Sequence, residues 1–441
     1  MIRVTGGYSH DATPITRRSF VMAGALGGLS LAHLHASPAP RKDTAVILFW
    51  MSGGPGHMET WDPKPNAVAQ FRGPFGSIPT SVPGVRFGEL LPEQAKLMKH
   101  LAVLRTVNHG SGDHTKANHW MLTGFEGPAF NAPDFMSQKR PSLGSAVSKL
   151  RGPNAPTVPA YAAVPHLRGG TDNFFHYAAY LGKRFNPFNT ESDPNLKDFR
   201  VRNLTLPKDL PMERLEDRRS LLDTLDQHRR ESESADPFRA QAFDLLTSAA
   251  TAKAFEISAE PDALRDQYGR HTYGQSALLA RRLVEAGVTF VTVNCVPWDH
   301  HATAGRHSTT EGGKLFIPPF DKALSALVKD LMDRGLYEKT LVVAMGEFGR
   351  TPRMNAEGGR DHWGNTFSVL MGCGSMKMGQ VIGRSTEKGE YVADRPITPQ
   401  DVSATIFQHL GIDAKKVHFE DTLARPTALV ETGVPVRELW S

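Results

Sequence analysis

The stretch from Leu341 to Trp363 reads LVVAMGEFGRTPRMNAEGGRDHW, and it decides the predicted fold. Its first residues, Leu341 to Met345, are apolar or small, as in a buried strand. Glu347 follows almost at once, and a loop rich in glycine then leads to Asp361 and His362. A buried strand that opens into such a loop is typical of a site at the carboxyl edge of an α/β sheet. Carboxylate oxygens and imidazole nitrogens are also the ligands of zinc and of harder divalent cations.

Apolar and amphipathic segments alternate along the rest of the chain. Further strands are predicted at Ala45–Met51, Leu101–Val107, Tyr161–Val164, Val288–Cys295 and Phe367–Met371. Helices are predicted at Pro92–His100, from the N-cap Asp113 to Leu122, and at Ser142–Leu150, Ser276–Ala286, Pro318–Gly335 and Gln400–Leu410. Strands separated by helices predict an α/β fold, with a mostly parallel sheet and helices on both faces.

Two segments differ from this pattern. In residues 1–40, Arg17-Arg18 precedes Ser19-Phe20 and a short apolar stretch, which resembles a twin-arginine export signal. The alternative is a chance arginine pair before a core helix. We expect residues 41–441 to form the α/β domain, located in the periplasm or elsewhere outside the cytoplasm, with no stable membrane span once the signal is removed. The polar section at about 166–240 is interpreted as a cap or insertion that is partly helical, from Pro211 to Arg230.

Composition excludes some classes of partner. The chain has 441 residues, of which 22% are charged, with a net charge of +5. Without a long run of Lys or Arg, this small excess predicts no nucleic-acid partner.

The only cysteines, Cys295 and Cys373, could form a disulfide in an oxidising compartment, but two buried thiols are the favoured interpretation.

Polar residues follow four of the predicted strands. They are His57 and Asp62, then His109, Asp113, His114, Thr115 and His119, then Asp299, His300 and His301, and finally Glu347, Asp361 and His362. Because parallel strands have their carboxyl ends at one edge of a sheet, these groups could converge on a metal. The alternative is a chance set of surface histidines, with Glu347 paired to Arg350 or Arg360.

Several motifs carry a family resemblance. They are SGGPGH at 52–57, WDPKP at 61–65, NHWMLTG at 118–124, ARRLVEAGV at 280–288, WDHH at 298–301, GEFGRTP at 346–352, GRDHW at 359–363 and TPQD at 398–401. Together they resemble the bacterial family catalogued as domain of unknown function 1501, in the alkaline phosphatase/sulfatase-like superfamily. The resemblance covers nearly all of the chain after residue 40. It implies an alkaline phosphatase-like fold and a phosphoryl or sulfuryl transfer site with two cations roughly 4 Å apart.

The resemblance also implies roles for particular residues. Asp299 with His301, Glu347 and His362 would be metal ligands. The segment Asp113 to Gly124 would carry the nucleophile, which falls on His114 or Thr115. A cation such as Lys116 or Arg350 would balance the substrate anion.

The chain departs from the superfamily pattern at four positions, one of which is the nucleophile position, where His114 or Thr115 stands and no clear Ser. Ser52 stands where an aspartate ligand is expected after the first strand, unless Asp62 folds back. Phe348 replaces a histidine ligand. Cys373 lacks the Pro and Arg that a formylglycine-dependent sulfatase needs, so that class is excluded. A site with one metal, or an inactive descendant, therefore stays open.

The candidate metal ligands are Asp299, His301, Glu347, Asp361, His362, His57 and Asp62, and the candidate catalytic residues are Thr115, His114 and Arg350. The predicted cofactor is a divalent cation, either zinc, manganese or calcium. The predicted function is an exported, metal-dependent hydrolase of a small phosphate or sulfate ester. The alternative is a non-catalytic protein that binds a sulfated or otherwise anionic glycan in the same cleft.

Overall fold

The structure is a computed structural model that describes residues 43–167, 175–201, 248–301 and 304–440. The predicted export signal and the predicted helix from Pro211 to Arg230 lie outside these residues. No helix within the described ranges is long and apolar enough to cross a bilayer.

An eight-stranded sheet forms the centre of the fold. Its strands are β1 (Ala45–Met51), β2 (Ala102–Val107), β3 (Tyr161–Val164), β4 (Phe188–Asn189), β5 (Phe290–Cys295), β6 (Thr340–Met345), β7 (Phe367–Gly372) and β8 (Gln380–Ile382). Their order across the sheet is β8-β2-β7-β6-β1-β5-β3-β4. β7 runs antiparallel to β2 and β6, and the other pairings between described strands of this sheet are parallel. The predicted mostly parallel sheet is therefore confirmed.

Helices cover both faces of this sheet, as predicted. The longer ones are α1 (His114–Thr123), α2 (Leu143–Arg151), α3 (Thr272–Glu285), α4 (Thr309–Asp333) and α5 (Pro399–His409). Successive side chains of a strand point to opposite faces. Ile47 and Phe49 of β1 accordingly pack with α3 and α4, whereas Leu48 and Trp50 pack with α1, α2 and α5. The apolar run of β1 is explained by this burial on both sides.

Shorter elements complete the described chain. The short α-helices are Ala69–Arg72, Pro92–Lys96, Ala249–Phe255 and Asp262–Tyr268. Single 3-10 turns occur at Met98–His100, Ala179–Leu181, Lys183–Phe185, Ile257–Ala259, Gly305–His307 and Arg437–Leu439. The two-stranded ribbons pair Ser77–Pro79 with Arg86–Gly88, Gly349–Arg350 with His362–Trp363, Arg384–Ser385 with Val392–Asp394, and His418–Glu420 with Pro426–Ala428.

Some boundaries differ from those predicted. α4 begins at Thr309 rather than at Pro318, because the Ser308 side chain accepts a hydrogen bond from Glu311 N and caps an earlier start. Pro318 and Pro319 therefore lie inside the helix. Part of the predicted insertion contributes the edge strand β4 to the sheet. Both cysteines are buried thiols, as the favoured interpretation predicted.

The antiparallel strand β7 determines where the site forms. Phe367 at its start pairs with Val107 at the end of β2. The segment that enters β7 therefore lies at the same edge as the loops that leave the parallel strands. Because of this reversal, His362, which precedes β7, reaches the edge where Asp299 follows β5.

Candidate metal centre

Three side chains from separate loops converge at this edge. His114 begins α1, Asp299 follows β5 and His362 precedes β7. Each offers one ligand atom, and these atoms lie within 4.8 Å of one another. All three side chains are half-buried, so the group is partly shielded from solvent but can still be reached from it. We refer to His114, Asp299 and His362 as the metal cluster.

The orientation of His362 follows from its two ring nitrogens. Its Nδ1 lies 2.9 Å from the carbonyl oxygen of Gly112. A carbonyl can only accept a hydrogen bond, so Nδ1 carries the proton in the neutral ring. The Nε2 lone pair then faces Asp299 Oδ1, at 3.2 Å.

His114 is oriented in the same way by Glu347. Its Nδ1 lies 2.8 Å from Glu347 Oε1. Gly53 N also donates to the two oxygens of this buried carboxylate, at 2.9 and 3.1 Å. A carboxylate that is surrounded by donors needs no proton of its own, so His114 Nδ1 donates. His114 Nε2 then lies 3.7 Å from Asp299 Oδ1. Glu347 thus orients His114 rather than joining the cluster itself.

This arrangement calls for a positive charge in the cluster. With both imidazoles neutral, two nitrogen lone pairs face one carboxylate oxygen, which is repulsive. Burial raises the pKa of Asp299, but the hydrogen bonds that protonated His114 and His362 donate, together with the Arg350 guanidinium, outweigh burial and hold that pKa far below its usual range. Asp299 is therefore ionised, and either extra protons or a cation must lie among the three groups. Two imidazole nitrogens and one carboxylate suit zinc or manganese, whereas calcium prefers six to eight oxygens.

Arg350 fixes the carboxylate of the cluster. Its Nη2 donates to Asp299 Oδ1 and to the carbonyl of Gly53, and its Nε donates to Gly54 O at 3.0 Å. The side chain is only 1% exposed. Arg350 therefore positions Asp299 from the buried side of the carboxylate, and its guanidinium is not accessible to a ligand that arrives from solution.

Two glycines and one aromatic ring bring the loops close together. Gly53 has a φ of 104°, and a Cβ there would lie 2.5 Å from the backbone nitrogen of Asp299. Gly54 has a φ of 79°, and its Cβ would lie 2.6 Å from Phe348. The Phe348 ring stacks on His362 at 4.6 Å and contacts His114 at 4.9 Å. Phe348 thus supports both imidazoles at the position where the resemblance implies a third histidine.

Two predicted site residues lie beside the cluster but outside it. His301 Nε2 is 2.8 Å from the second oxygen of Asp299, and the His301 side chain is 46% exposed, at the rim. The Thr115 hydroxyl donates to Asp113 Oδ1 at 2.7 Å and is fully buried. Asp113 is the N-cap of α1, as predicted, and its carboxylate accepts the hydrogen bond of the Thr115 hydroxyl.

The remaining predicted ligands lie in other surroundings. Asp361 is exposed, and its Oδ1 accepts a hydrogen bond from Asn355 at 3.0 Å. His57 is buried against Gly389 O at 2.9 Å, and burial lowers its pKa to about 4. Asp62 forms ion pairs with Lys64 at 3.0 Å and with Arg105 at 3.4 Å. The structure does not bring these three side chains into the metal cluster.

Several residues that shape the site have no role predicted from the sequence. Gly53 donates to Glu347, Gly112 orients His362, and Phe348 packs against both imidazoles. The adjacent glycines of SGGPGH were the available signal, because paired glycines permit positive φ and close approach of backbones. The carbonyl of Gly112 has no signal in the sequence, since every residue carries one.

Comparison with known proteins gives the following similarities. One similar solved structure is a mutant of the alkaline phosphatase PafA, with a TM-score of 0.42 and 10% identity over 91% of this chain and 99% of that one. Another is the PsFucS1 sulfatase from Pseudoalteromonas sp., with a TM-score of 0.38 and 14% identity over 90% and 72% of the two chains. A third is the phosphonate monoester hydrolase SpPMH from Silicibacter pomeroyi, with a TM-score of 0.38 and 12% identity over 84% and 73%.

No curated protein matches the chain. The sequence profile of the family described as "Protein of unknown function (DUF1501)" matches residues 43–440. That match includes all eight strands of the sheet and all three residues of the metal cluster. The chain therefore belongs to the DUF1501 family.

Proposed function

We propose that the protein is a hydrolase of phosphate or sulfate esters that depends on one divalent cation held by His114, Asp299 and His362. One observation carries this proposal. The Nδ1 atoms of both histidines are engaged by acceptors, so both Nε2 lone pairs face the same oxygen of Asp299. Such a donor set, with its orienting partners already in place, is what a metal site requires.

The chain's own residues prepare this site for chemistry. Glu347 and Gly112 hold the two imidazoles, and Arg350 holds Asp299, so the ligands need little reorganisation when a cation binds. A bound divalent cation would polarise the ester and balance the negative charge that develops on its oxygens. The half-buried surroundings strengthen that electrostatic effect.

A single cation fits this chain better than two. Glu347 already accepts hydrogen bonds from Gly53 and His114, and Phe348 stands where a third histidine is implied. Arg350 supplies a fixed positive charge beside Asp299. We propose that zinc or manganese is the resident metal.

Water is the nucleophile in this proposal, rather than Thr115. The Thr115 hydroxyl is buried and bonded to Asp113, and it is also 3.1 Å from the carbonyl of Pro128. Attack by water hydrolyses the ester in one step and leaves no group attached to the protein. His301, at the rim on Asp299 Oδ2, lies at the entrance to the cluster.

We further propose that the protein acts outside the cytoplasm. The support is the arginine pair Arg17-Arg18 ahead of Ser19-Phe20 and a short apolar stretch. Export through the twin-arginine route carries folded chains, so the metal could be loaded before export.

The test is hydrolysis of p-nitrophenyl phosphate and p-nitrophenyl sulfate by the purified protein. We expect turnover of at least one ester, loss of turnover with EDTA, and recovery with zinc or manganese. His362→Ala and His114→Ala should abolish it, and His418→Ala, at an exposed histidine of the ribbon His418–Glu420 and Pro426–Ala428, outside the metal cluster, should not. No turnover of either ester, together with binding of a sulfated glycan that survives EDTA, would favour the non-catalytic alternative and overturn the proposal.

A further inference from the structure

We infer that the ribbon of Gly349–Arg350 and His362–Trp363 binds an uncharged carbohydrate chain on the face turned away from the metal cluster. A cleft of about 670 Å³ lies there, and Gln70, Arg353, Asn355, Asp361, Trp363 and Glu390 are among its lining residues. We call it the outer cleft. Its volume is within the range of about 300–1000 Å³ that small-molecule sites occupy.

The ribbon separates the outer cleft from the metal cluster. Gly349–Arg350 pairs with His362–Trp363 in antiparallel register. Successive residues of a strand point to opposite faces. His362 faces Asp299, so its neighbours Asp361 and Trp363 face the other way and line the cleft. The two sites thus share a support but not a surface.

A fixed aromatic ring forms part of the cleft wall. Trp363 Nε1 donates to the carbonyl of Glu390 at 2.7 Å, which holds the indole in one orientation. The ring of Tyr391 lies 5.8 Å away, tilted by 58°, and Tyr391 is 54% exposed. Flat apolar rings with a polar edge match the C–H faces of pyranose sugars, and a ring that is already oriented loses little entropy on binding.

Planar polar groups surround this ring. Within the described ranges, the side-chain amide of Gln70 and the guanidinium of Arg353 make no hydrogen bond. Asp361 is exposed, and it accepts a hydrogen bond from Asn355 through Oδ1. Sugar hydroxyls both donate and accept, so they can pair with an amide, a guanidinium and a carboxylate together.

The charge of the lining disfavours an anionic ligand. Asp361 and Glu390 oppose one cation, Arg353. Two carboxylates beside the wall would repel the sulfates or carboxylates of an acidic polysaccharide. A neutral hexopyranose chain therefore suits the outer cleft better than a sulfated glycan does. This inference does not depend on the proposed hydrolase activity.

The experiment is isothermal titration calorimetry of the purified protein with cellohexaose, laminarihexaose, maltohexaose and, as the acidic comparison, a chondroitin sulfate hexasaccharide. We expect at least one neutral hexasaccharide to bind, with affinity unchanged by EDTA. Trp363→Ala should weaken that binding at least about tenfold, as expected when an aromatic anchor is truncated. Gln70→Ala, a surface change on a short helix, should weaken it as well and tests the site if Trp363→Ala does not fold.

Trp440→Ala is the matched control, because Trp440 is an exposed tryptophan outside the cleft lining. It should leave the affinity unchanged. The inference is overturned if none of the neutral hexasaccharides binds, or if both Trp363→Ala and Gln70→Ala bind them with the affinity of the parent protein. It is also overturned if only the acidic hexasaccharide binds and EDTA removes it. The last result would place the ligand at the metal cluster, whereas failure of ester hydrolysis alone would leave the outer cleft intact.

Discussion

His362 Nε2 lies 3.2 Å from Asp299 Oδ1, although one residue precedes an antiparallel strand and the other follows a parallel strand. The contact exists because β7 runs against its neighbours, which brings its entry segment to the edge where β5 ends. The metal cluster is thus a consequence of one reversed strand in a parallel sheet.

Glu347→Gln should weaken metal binding without unfolding the protein. The change preserves the shape of the side chain but removes the negative partner of His114 Nδ1. Loss of such an outer partner typically costs about 10–100-fold in metal affinity. Zinc titration of the metal-free protein measures the effect. Glu438→Gln, at a partly exposed pair with Arg395, is the control and should not change the affinity. Equal affinity in both variants would mean that Glu347 does not orient the ligand.

Gly53→Ala should disrupt the cluster more than its backbone strain alone explains. The new Cβ would lie 2.5 Å from Asp299 N, so the loop that carries Asp299 must shift. Gly335→Ala is the control, since Gly335 also has a positive φ, of 65°, but a Cβ there meets open space. We expect the control to lose about 1 kcal/mol of unfolding free energy from strain. Gly53→Ala should lose more and should also lose its metal, as measured by thermal unfolding and metal analysis. Similar losses in both variants, with metal retained, would contradict the proposed close approach.

Arg350→Met should be strongly destabilising. It leaves the Asp299 carboxylate without its buried guanidinium and several backbone carbonyls without a donor. Removing one partner of a buried pair costs about 3 kcal/mol or more. Arg425→Met, which breaks an exposed pair with Asp421, should cost much less, because solvent screens such a pair. Chemical denaturation of the two variants provides the comparison, and equal costs would show that Arg350 is not the fixed support described here.

Acid should destabilise the fold partly through His176. Both of its ring nitrogens are buried and have no hydrogen-bond partner among the residues that the structure describes, and burial lowers its pKa to about 3. The unfolded chain binds this proton below about pH 6.5, the ordinary pKa of histidine, while the folded chain does not. The unfolded state therefore holds more protons, and the free energy of unfolding falls as the pH drops from about 6.5 towards 3, by up to about 1.4 kcal/mol per pH unit.

The variant His176→Phe isolates this contribution. Phenylalanine keeps an aromatic ring beside Trp50, 5.6 Å away, and cannot take a proton. We expect the unfolding free energy of this variant to depend less steeply on pH than that of the parent protein between about pH 6.5 and 4. Parallel curves for the two proteins would show that folding does not lower the pKa of His176.

The sequence predicts the sheet well because burial leaves a direct record in it. The run AVILFWM at 45–51 is apolar throughout, since both faces of β1 are covered. The start of α4 is harder to predict, because Pro318 is typical of a first helical turn while the actual cap is Ser308. A helix start that is set by one capping hydroxyl is hard to predict when a stronger signal for a helix start, such as a proline, lies nearby.

The site is only partly predictable, for a geometric reason. Sequence places Asp299, His362 and Glu347 at one edge, but it cannot show which oxygen or nitrogen of each faces the others. Glu347 turns out to orient His114, and the hydroxyl of Thr115 is used by the cap Asp113. These roles depend on shifts of a few ångströms in the positions of side-chain atoms. Loop conformations determine such positions, and the patterns that predict strands do not.

Elemental analysis of the purified protein tests the central claim most directly. Prepared from metal-replete medium without chelator, the protein and His418→Ala should each contain about one equivalent of zinc or manganese. His362→Ala and His114→Ala, folded by circular dichroism, should contain only traces. A metal-free parent protein, or a full equivalent of metal in folded His362→Ala, would contradict the assignment of His114, Asp299 and His362 as the metal site.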